Sequence, residues 1–411
     1  MQQKKSEKKE EKPDFVKWFS ELNKDSGKIA GGKGANLAEI YNLKVSVPPG
    51  FVVTAQAYDY FIEKAGIVKK IKESLDKIDY EDTQQLNEIS KEIKTFILES
   101  PVPIEMQEEI LEAYESLDTE NFDFEKGSAL DILTKTSEPM FVAVRSSATA
   151  EDSEEASFAG QQETFVNVKG NVELIKNIKK CFASLFTPRA IYYRQKKGFE
   201  HKKVSLAVVI QKMVDSDKSG VIFSKDPSFK DDNIIIEAVF GLGEGIVSGQ
   251  ITPDKYIISR DLEILEKKIA DKKIAITRDS SGQTEIVKLR EEKSESQVLK
   301  DYEIKNLADI SLKLEEHYKK PQDIEFAIEN EEIYIVQTRP ITTIEKRVSK
   351  EEVKQIQGEV ILTGLGASPG IGSGEIKIIK SMQDLSKIKQ GDILVTEMTN
   401  PDMVVTMQKS A

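Results

Sequence analysis

The sequence predicts an α+β or mixed α/β fold, because blocks with helical and strand-like patterns are mixed along its 411 residues. Residues 67–117 have the apolar spacing of amphipathic helices, with charged residues on the outer face. Residues 204–214, VSLAVVIQKMV, are almost continuously apolar, which is typical of a buried strand. The length is sufficient for two or three domains.

The charge and cysteine content exclude several classes of protein. The chain carries 59 basic and 71 acidic residues, so no basic excess is available for non-specific nucleic-acid binding. Its one cysteine, Cys181, excludes an internal disulfide and is interpreted as a small buried apolar residue. The sequence has neither a run of 18 apolar residues nor a signal peptide, so we expect no membrane span and a cytoplasmic location.

The N-terminal region combines a polar tail with a glycine-rich helix start. Residues 1–13 are predicted to be a disordered tail, and residues 15–22 a short helix with its aromatic side chains on one face. In the following segment, GKIAGGKGANLAEIYNL, glycines bracket Lys33 where a helix begins. A lysine at a helix start can bind an anion, although the segment is not a Walker A motif and its residues alone favour an ordinary capping turn.

Residues 140–168, MFVAVRSSATAEDSEEASFAGQQETFVNV, predict two strands joined by a polar loop. The first strand ends at Arg145, which is expected to be exposed, and the second begins at Thr164. Between them, small residues and an acidic patch precede a flexible segment that contains Gly160. The backbone of such a loop can approach an anion closely, but a polar hairpin with an exposed arginine has the same composition.

Further along the chain, helix and strand signals continue in order. Residues 171–186 predict a helix, and Thr187 caps a second helix that Gly198 closes. Gln211 and Met213 end the buried strand of residues 204–214. This strand end is either part of the core or an apolar and hydrogen-bonding surface for an adenine base.

Residues 322–342, QDIEFAIENEEIYIVQTRPIT, predict two alternating strands about a turn near Asn330. The expected register places Glu325 opposite Gln337, and Asp323 opposite Arg339, on one polar face. The side chains expected on the opposite face of the second strand are Tyr334, Val336 and Thr338. Oxygen ligands of this kind suit Mg²⁺, and the arginine suits a phosphoryl group. The residues alone favour the alternative, a half-exposed hairpin with cross-strand ion pairs.

The segment RSSATAEDSEEASFAGQQETFVNV resembles the nucleotide-binding signature of phosphoenolpyruvate synthases, and it is similar to pyruvate phosphate dikinases and rifampin phosphotransferases. These families share an ATP-grasp domain followed by a swivelling phosphohistidine domain. The resemblance implies an ATP-grasp domain at residues 14–345, a linker at 346–357 and the incomplete start of a β-rich phosphohistidine domain at 358–411.

The resemblance also implies ATP as the substrate and Mg²⁺ as the metal. It implies that the arginines at 145 and 339 are catalytic, that the glutamate at 325 and the glutamine at 337 hold the metal, and that the adenine pocket includes positions 211 and 213. The implied ATP-binding residues are Lys33, Arg145, Gly160, Thr164, Gln211, Met213, Glu325, Gln337 and Arg339.

The family's phosphohistidine loop is not found in the sequence. Its two histidines, His201 and His317, are interpreted as surface or capping residues. We therefore expect the ATP-binding portion of a pyruvate, water dikinase, in which pyruvate would bind only through missing C-terminal domains. A second chain could carry that half, and a homo-oligomer is an open alternative. Other interpretations are part of a rifampin phosphotransferase or a pyruvate phosphate dikinase, or a non-catalytic nucleotide-binding module.

Overall fold

The computed structural model confirms a mixture of helices and sheets. It describes residues 13–80, 82–117, 139–149, 163–201, 204–227, 231–279, 281–341, 361–362, 371–379, 384, 387–396 and 403–411. The helices are α1 Gly27–Asn42, α2 Ala55–Lys64, α3 Val68–Leu75, α4 Thr83–Glu99, α5 Ile104–Ser116, α6 Asn171–Ser184, α7 Pro188–Lys196, α8 Glu244–Val247, α9 Glu291–Ser294, α10 Asp301–Tyr318 and α11 Val404–Met407.

The strands form two larger sheets and two strand pairs. A five-stranded antiparallel sheet, the first sheet, has the order β1-β2-β5-β3-β4, and a six-stranded antiparallel sheet, the second sheet, has the order β13-β12-β6-β7-β8-β9. Strands β10 and β11 form a hairpin, and β14 and β15 form a parallel pair. The strands are β1 Val16–Trp18, β2 Gly50–Val53, β3 Val142–Ala148, β4 Thr164–Val168, β5 Leu206–Lys212, β6 Lys218–Phe223, β7 Ile234–Phe240, β8 Asp254–Ile258, β9 Ile264–Lys268, β10 Ile274–Arg278, β11 Thr284–Lys288, β12 Gln322–Glu329, β13 Glu332–Pro340, β14 Ile376–Ile378 and β15 Ile393–Val395.

Helix α1 lies between the two sheets and joins their cores. Leu37 of α1 belongs to the same buried cluster as Val209 of the first sheet and Phe326 of the second. The backbone N–H of Ile335 in β13 also donates to the carbonyl of Ser46, just beyond α1, at 2.8 Å. Because apolar burial is the main stabilising term in folding, this shared cluster holds both sheets to one helix.

The opposite face of the first sheet is covered by α2 to α7. Phe182 of α6 is fully buried there, with its ring centroid 5.2 Å from that of Tyr58 and 5.6 Å from that of Phe61. The predicted amphipathic helices of residues 67–117 are confirmed as α3, α4 and α5, and they pack in this layer. Cys181 lies in the same core, as expected, and burial raises the pKa of its thiol.

The predicted helix start and stop signals hold at α7, and α2 begins with the same kind of cap. The Thr54 hydroxyl accepts from the N–H of Ala57 at 3.1 Å, and the Thr187 hydroxyl accepts from the N–H of Ala190 at 3.4 Å. Gly198 follows α7 with a φ of 72°, a left-handed conformation that favours glycine.

The helix predicted for residues 15–22 is wrong. Residues 16–18 form the edge strand β1, which pairs with β2, and a short 3₁₀ helix, Phe19–Glu21, follows. A two-turn helix is marginal on its own, whereas strand pairing satisfies the backbone and still buries Phe15 and Phe19.

Both histidines differ from the surface or capping role predicted for them. The half-buried His201 accepts from Arg194 Nε at 3.0 Å through Nδ1, and its Nε2 lies 3.2 Å from the Tyr80 hydroxyl. His317 Nε2 in α10 lies 2.7 Å from Glu39 Oε1 in α1. Tyr80 and Glu39 come from distant segments, so a local sequence pattern does not predict these two contacts.

The predicted tail lies outside the described residues except for Pro13, and so does the predicted linker of residues 346–357. The described parts of residues 358–411 include the pair β14 and β15 and helix α11. Within the described ranges, every helix is too short or too polar to cross a membrane.

Gly31 produces a kink inside α1 that only glycine fits. Its φ is 66°, and a Cβ at this position would lie 2.2 Å from the carbonyl oxygen of Ser147 in β3. The close approach of α1 to β3 therefore depends on glycine having no side chain at this position.

We expect Gly31→Ala to lower the free energy of unfolding by about 3 kcal/mol or more, because left-handed strain adds to a clash with backbone. Gly66→Ala is a matched control, since Gly66 also has a φ of 66° but no atom within 4 Å of its added Cβ. Its cost should be only about 1 to 2 kcal/mol. Urea denaturation measures both, and equal losses would contradict the packing argument.

His201 predicts a pH dependence of stability. Burial and the Arg194 charge lower its pKa from 6.5 to about 4. Between these values the unfolded chain binds more protons, so the free energy of unfolding should fall as the pH drops from 6.5 towards 4. Because the ring is partly exposed, the expected change in the free energy of unfolding is about 2 kcal/mol, which is less than the full pKa shift would give. His201→Gln, which retains an acceptor for Arg194, should remove this part of the pH dependence in denaturation curves. The idea fails if both proteins lose stability equally.

Candidate active site

Arg145 lies in the middle of β3, which continues to Ala148, and not at a strand end as predicted. It is also buried rather than exposed, at 7% of its accessible surface. Its guanidinium leaves the first sheet and reaches β13 of the second. Nη1 donates to Gln211 Oε1 at 3.0 Å and to the Val336 carbonyl at 2.6 Å, and Nη2 donates to Gln337 Oε1 at 2.5 Å. Arg145 therefore connects the two sheets.

The β12–β13 hairpin presents the partners of Arg145. The predicted pairs Glu325–Gln337 and Asp323–Arg339 are both observed. The turn at Asn330 and Glu331 has two positive φ values, 51° and 69°, which suit a tight hairpin.

A β-bulge between Glu325 and Phe326 leaves Val336 without a partner residue on β12. The carbonyl of Val336 accepts from Arg145 instead. The bulge also reverses the alternation of side chains, so Ile335 and Thr338 both face the core. The prediction that Tyr334, Val336 and Thr338 share one face is therefore wrong, because the inserted residue reverses the alternation of side chains.

The polar face of this hairpin carries paired charges. Glu325 Oε1 accepts from Gln337 Nε2 at 3.2 Å, and Glu325 Oε2 lies 3.8 Å from Arg145 Nη2. Asp323 Oδ2 accepts from Arg339 Nε at 2.9 Å. The Arg339 side chain is 48% exposed. An exposed ion pair contributes little free energy, so Arg339 can leave Asp323 and bind another anion at little cost.

Lys33 lies beside Arg145 on the first-sheet side of the cleft. Its Nζ donates to the Ser146 carbonyl at 3.0 Å, next to Arg145 in β3. The Ser147 hydroxyl fixes this arrangement, because it accepts from the N–H of Gly34 at 3.1 Å and donates to the Ala30 carbonyl at 2.8 Å. Ser147 was not among the predicted site residues. Its hydroxyl, close to Arg145 in the sequence, was the signal that could have identified it.

The remaining predicted site residues differ in burial and in whether they contact Arg145. Gln211 is buried and bonded to Arg145, whereas Thr164 is exposed and pairs with Arg145 in the strand ladder. Met213 donates its N–H to the Phe141 carbonyl at 3.0 Å and packs against the cluster of Val239 and Ile276. Gly160 lies outside the described residues.

Glu325 and Gln337 carry oxygens of the type that bind a divalent cation. No group of three or more histidine, cysteine or acidic side chains in the described ranges is placed to hold a metal ion. A cation that binds one or two carboxylates together with substrate phosphates does not need such a group. Gln337 Oε1 now accepts from Arg145, so metal binding there would require an exchange of partners.

Comparison with known proteins identifies the family of this chain. A family model described as "Pyruvate phosphate dikinase, AMP/ATP-binding domain" matches residues 27–359. The chain is similar to a probable phosphoenolpyruvate synthase of Methanocaldococcus jannaschii, with 47% identity over 97% of this chain and 33% of that protein. A probable phosphoenolpyruvate synthase of Archaeoglobus fulgidus is 50% identical over 96% of this chain and 51% of its own length.

The phosphoenolpyruvate synthase of Pyrococcus furiosus is 43% identical over 97% of this chain and 52% of its own length. The chain thus spans between about a third and about half the length of these relatives. Because the family model covers most of the sequence, the chain belongs to the pyruvate phosphate dikinase AMP/ATP-binding domain family.

Proposed function

We propose that this chain is the ATP-binding portion of a phosphoenolpyruvate synthase. The proposal assigns residues 14–345 to an ATP-grasp domain and residues 358–411 to the start of a swivelling phosphohistidine domain. The observation that carries it is Arg145, a buried cation that spans two sheets beside Lys33 and faces Glu325 and Gln337. Cations and a carboxylate on opposite walls of one cleft suit a nucleotide phosphate chain with its metal.

The proposed orientation of ATP follows the direction of β3. Phe141 and Met213 lie where the chain crosses from the first sheet towards the second, and this segment offers apolar surface for the base. Arg145 is four residues further on, which corresponds to about 13 Å along a strand. That separation is comparable to the distance from an adenine base to the terminal phosphates of ATP.

At the phosphate end, Lys33, Arg145 and Arg339 would hold the phosphate oxygens. Arg339 is the group that can move most freely, since its side chain is the most exposed of those in the Asp323 and Glu325 pairs. Gly160 and Thr164 would close over the polyphosphate.

Glu325 and Gln337 would hold Mg²⁺, which neutralises phosphate charge when bound. For this the Gln337 amide oxygen must turn from Arg145 towards the metal, and the guanidinium is then free to donate to a phosphate. Binding of the nucleotide thus replaces contacts between the two sheets with contacts to the ligand.

In the complete enzyme, the proposed reaction converts pyruvate, ATP and water to phosphoenolpyruvate, AMP and phosphate. A histidine outside this chain would carry the phosphoryl group, and pyruvate would bind to the rest of the protein. Neither His201 nor His317 is assigned this role, because His201 is bonded to Arg194 and His317 to Glu39.

The first test of the function is ATP binding in the presence of Mg²⁺. Arg339→Ala should weaken binding by about 10- to 100-fold, because a charge-assisted bond to phosphate contributes about 1.5–3 kcal/mol. The fold should survive, since the side chain is half exposed. Lys69→Ala in α3, where the lysine side chain is 86% exposed, is the control and should bind normally. Calorimetry measures both constants, and an Arg339→Ala affinity within twofold of wild type would contradict the assigned role.

The second test concerns turnover. We expect the 411-residue chain to bind ATP without forming phosphoenolpyruvate, because it has no histidine assigned to phosphoryl transfer. Neither pyruvate-dependent release of AMP nor a stable phosphohistidine from labelled ATP should be detected. AMP release that depends on pyruvate would show that the nucleophile has been misplaced.

A further inference from the structure

The β10–β11 hairpin extends from the second-sheet side of the cleft to the first. In the middle of β10 it is attached beside β7, where the N–H of Leu242 donates to the Ile276 carbonyl at 2.8 Å and Gly241 forms a parallel bridge with Ile276. Near its turn, Asn167 Nδ2 in β4 donates to the Thr284 hydroxyl at 3.3 Å. The hairpin therefore contacts both walls of the cleft.

The principal contact on the first-sheet side is the ring of Phe141, which directly precedes β3. The guanidinium carbon of Arg278, at the end of β10, lies 4.5 Å from the centroid of this ring. Gly282, in the hairpin turn, approaches the ring so closely that an added Cβ would lie 2.2 Å from Phe141 Cε1. Stacking and close packing together fix the distance between the hairpin and β3.

The same residues hold the crossing segment, residues 213–217, between β5 and β6. Arg278 Nη2 lies 3.1 Å from Asp215 Oδ2, and the N–H of Asp217 donates to the Ile328 carbonyl at 2.8 Å. On the other side, the Met213 N–H donates to the Phe141 carbonyl at 3.0 Å. Phe141 thus contacts the crossing segment through its backbone and the hairpin through its ring.

We propose that Phe141, Arg278 and Gly282 form a clasp that sets the separation of the two walls at the base-binding end of the cleft. The proposal rests on the function proposed above, in which the adenine base lies beside residues 141 and 213. The clasp does not touch the phosphate end, which Arg145 spans independently through Gln337 and Val336. A change in the clasp should therefore weaken binding of the nucleoside part of ATP and leave binding of the phosphates unchanged.

Gly282→Ala is the direct test, because its new methyl group pushes the ring of Phe141 away from the hairpin. We expect the Kd for ATP with Mg²⁺ to rise by about tenfold, which corresponds to about 1.4 kcal/mol of binding free energy. Inorganic tripolyphosphate is added at millimolar concentration to compete with ATP, which gives its own Ki. This Ki should stay within twofold of wild type. A purely structural defect would raise both constants together.

Gly391→Ala is the matched control. Gly391 has a φ of 85°, close to the 90° of Gly282, but an added Cβ there meets no atom within 4 Å. Both variants carry the same kind of backbone strain, and only one presses on the clasp. The control should bind ATP and tripolyphosphate as wild type does.

Phe141→Leu provides a second, independent variant, because it removes the stacked ring without adding strain to the hairpin turn. It should raise the ATP constant severalfold and spare tripolyphosphate. Unchanged ATP binding in Gly282→Ala or Phe141→Leu would overturn the clasp, and so would equally weakened binding of ATP and tripolyphosphate. Failure of the wild-type chain to bind ATP would instead overturn the proposed function, so the two failures are distinguishable.

Discussion

The cleft depends on one buried cation. Arg145 is 7% exposed and is charged at any physiological pH, so its guanidinium must find partners within the protein. Those partners come from both sheets, through the side chain of Gln211 on one side and the Val336 carbonyl and Gln337 on the other. Removal of the arginine's partners would leave an uncompensated charge in a nearly dry site, which is strongly destabilising. The relative position of the two sheets is therefore tied to a residue that we propose binds a phosphate.

In the proposed site, this arrangement would link ligand recognition to the contact between the sheets. The partners of Arg145 described above are amide and carbonyl oxygens, with the carboxylate of Glu325 more distant at 3.8 Å. Hydrogen bonds between two charged groups are stronger than those to neutral acceptors, so a phosphate would compete with these amide and carbonyl oxygens for the guanidinium. Arg339 is paired with the carboxylate of Asp323 on the hairpin.

Local patterns in the sequence predicted much of this architecture, while contacts between distant segments had to come from the structure. The register of Glu325 with Gln337 followed from counting residues about a turn, and the cap of α7 followed from a single residue. The bulge at Val336 was missed because an inserted residue leaves no signature in an alternating pattern.

The burial of Arg145 was also missed, since its partners lie 66 and 191 or more residues away in sequence. The edge strand β1 was mistaken for a helix because Trp18 and the phenylalanines on either side of the strand match either period. Pairing with β2 decides between the two, and that contact lies outside the segment itself.

The position of α1 between the sheets has a consequence for synthesis of the chain. Residues 27–42 are translated early, but one side of this helix is covered by β13, at residues 332–340. The bond from Ile335 to Ser46 closes a loop of nearly three hundred residues. While a ribosome adds the intervening segments, Leu37 and its neighbours have no permanent cover on that side. A growing chain of this kind exposes apolar surface for many seconds, which makes it a natural client for chaperones that bind nascent polypeptides.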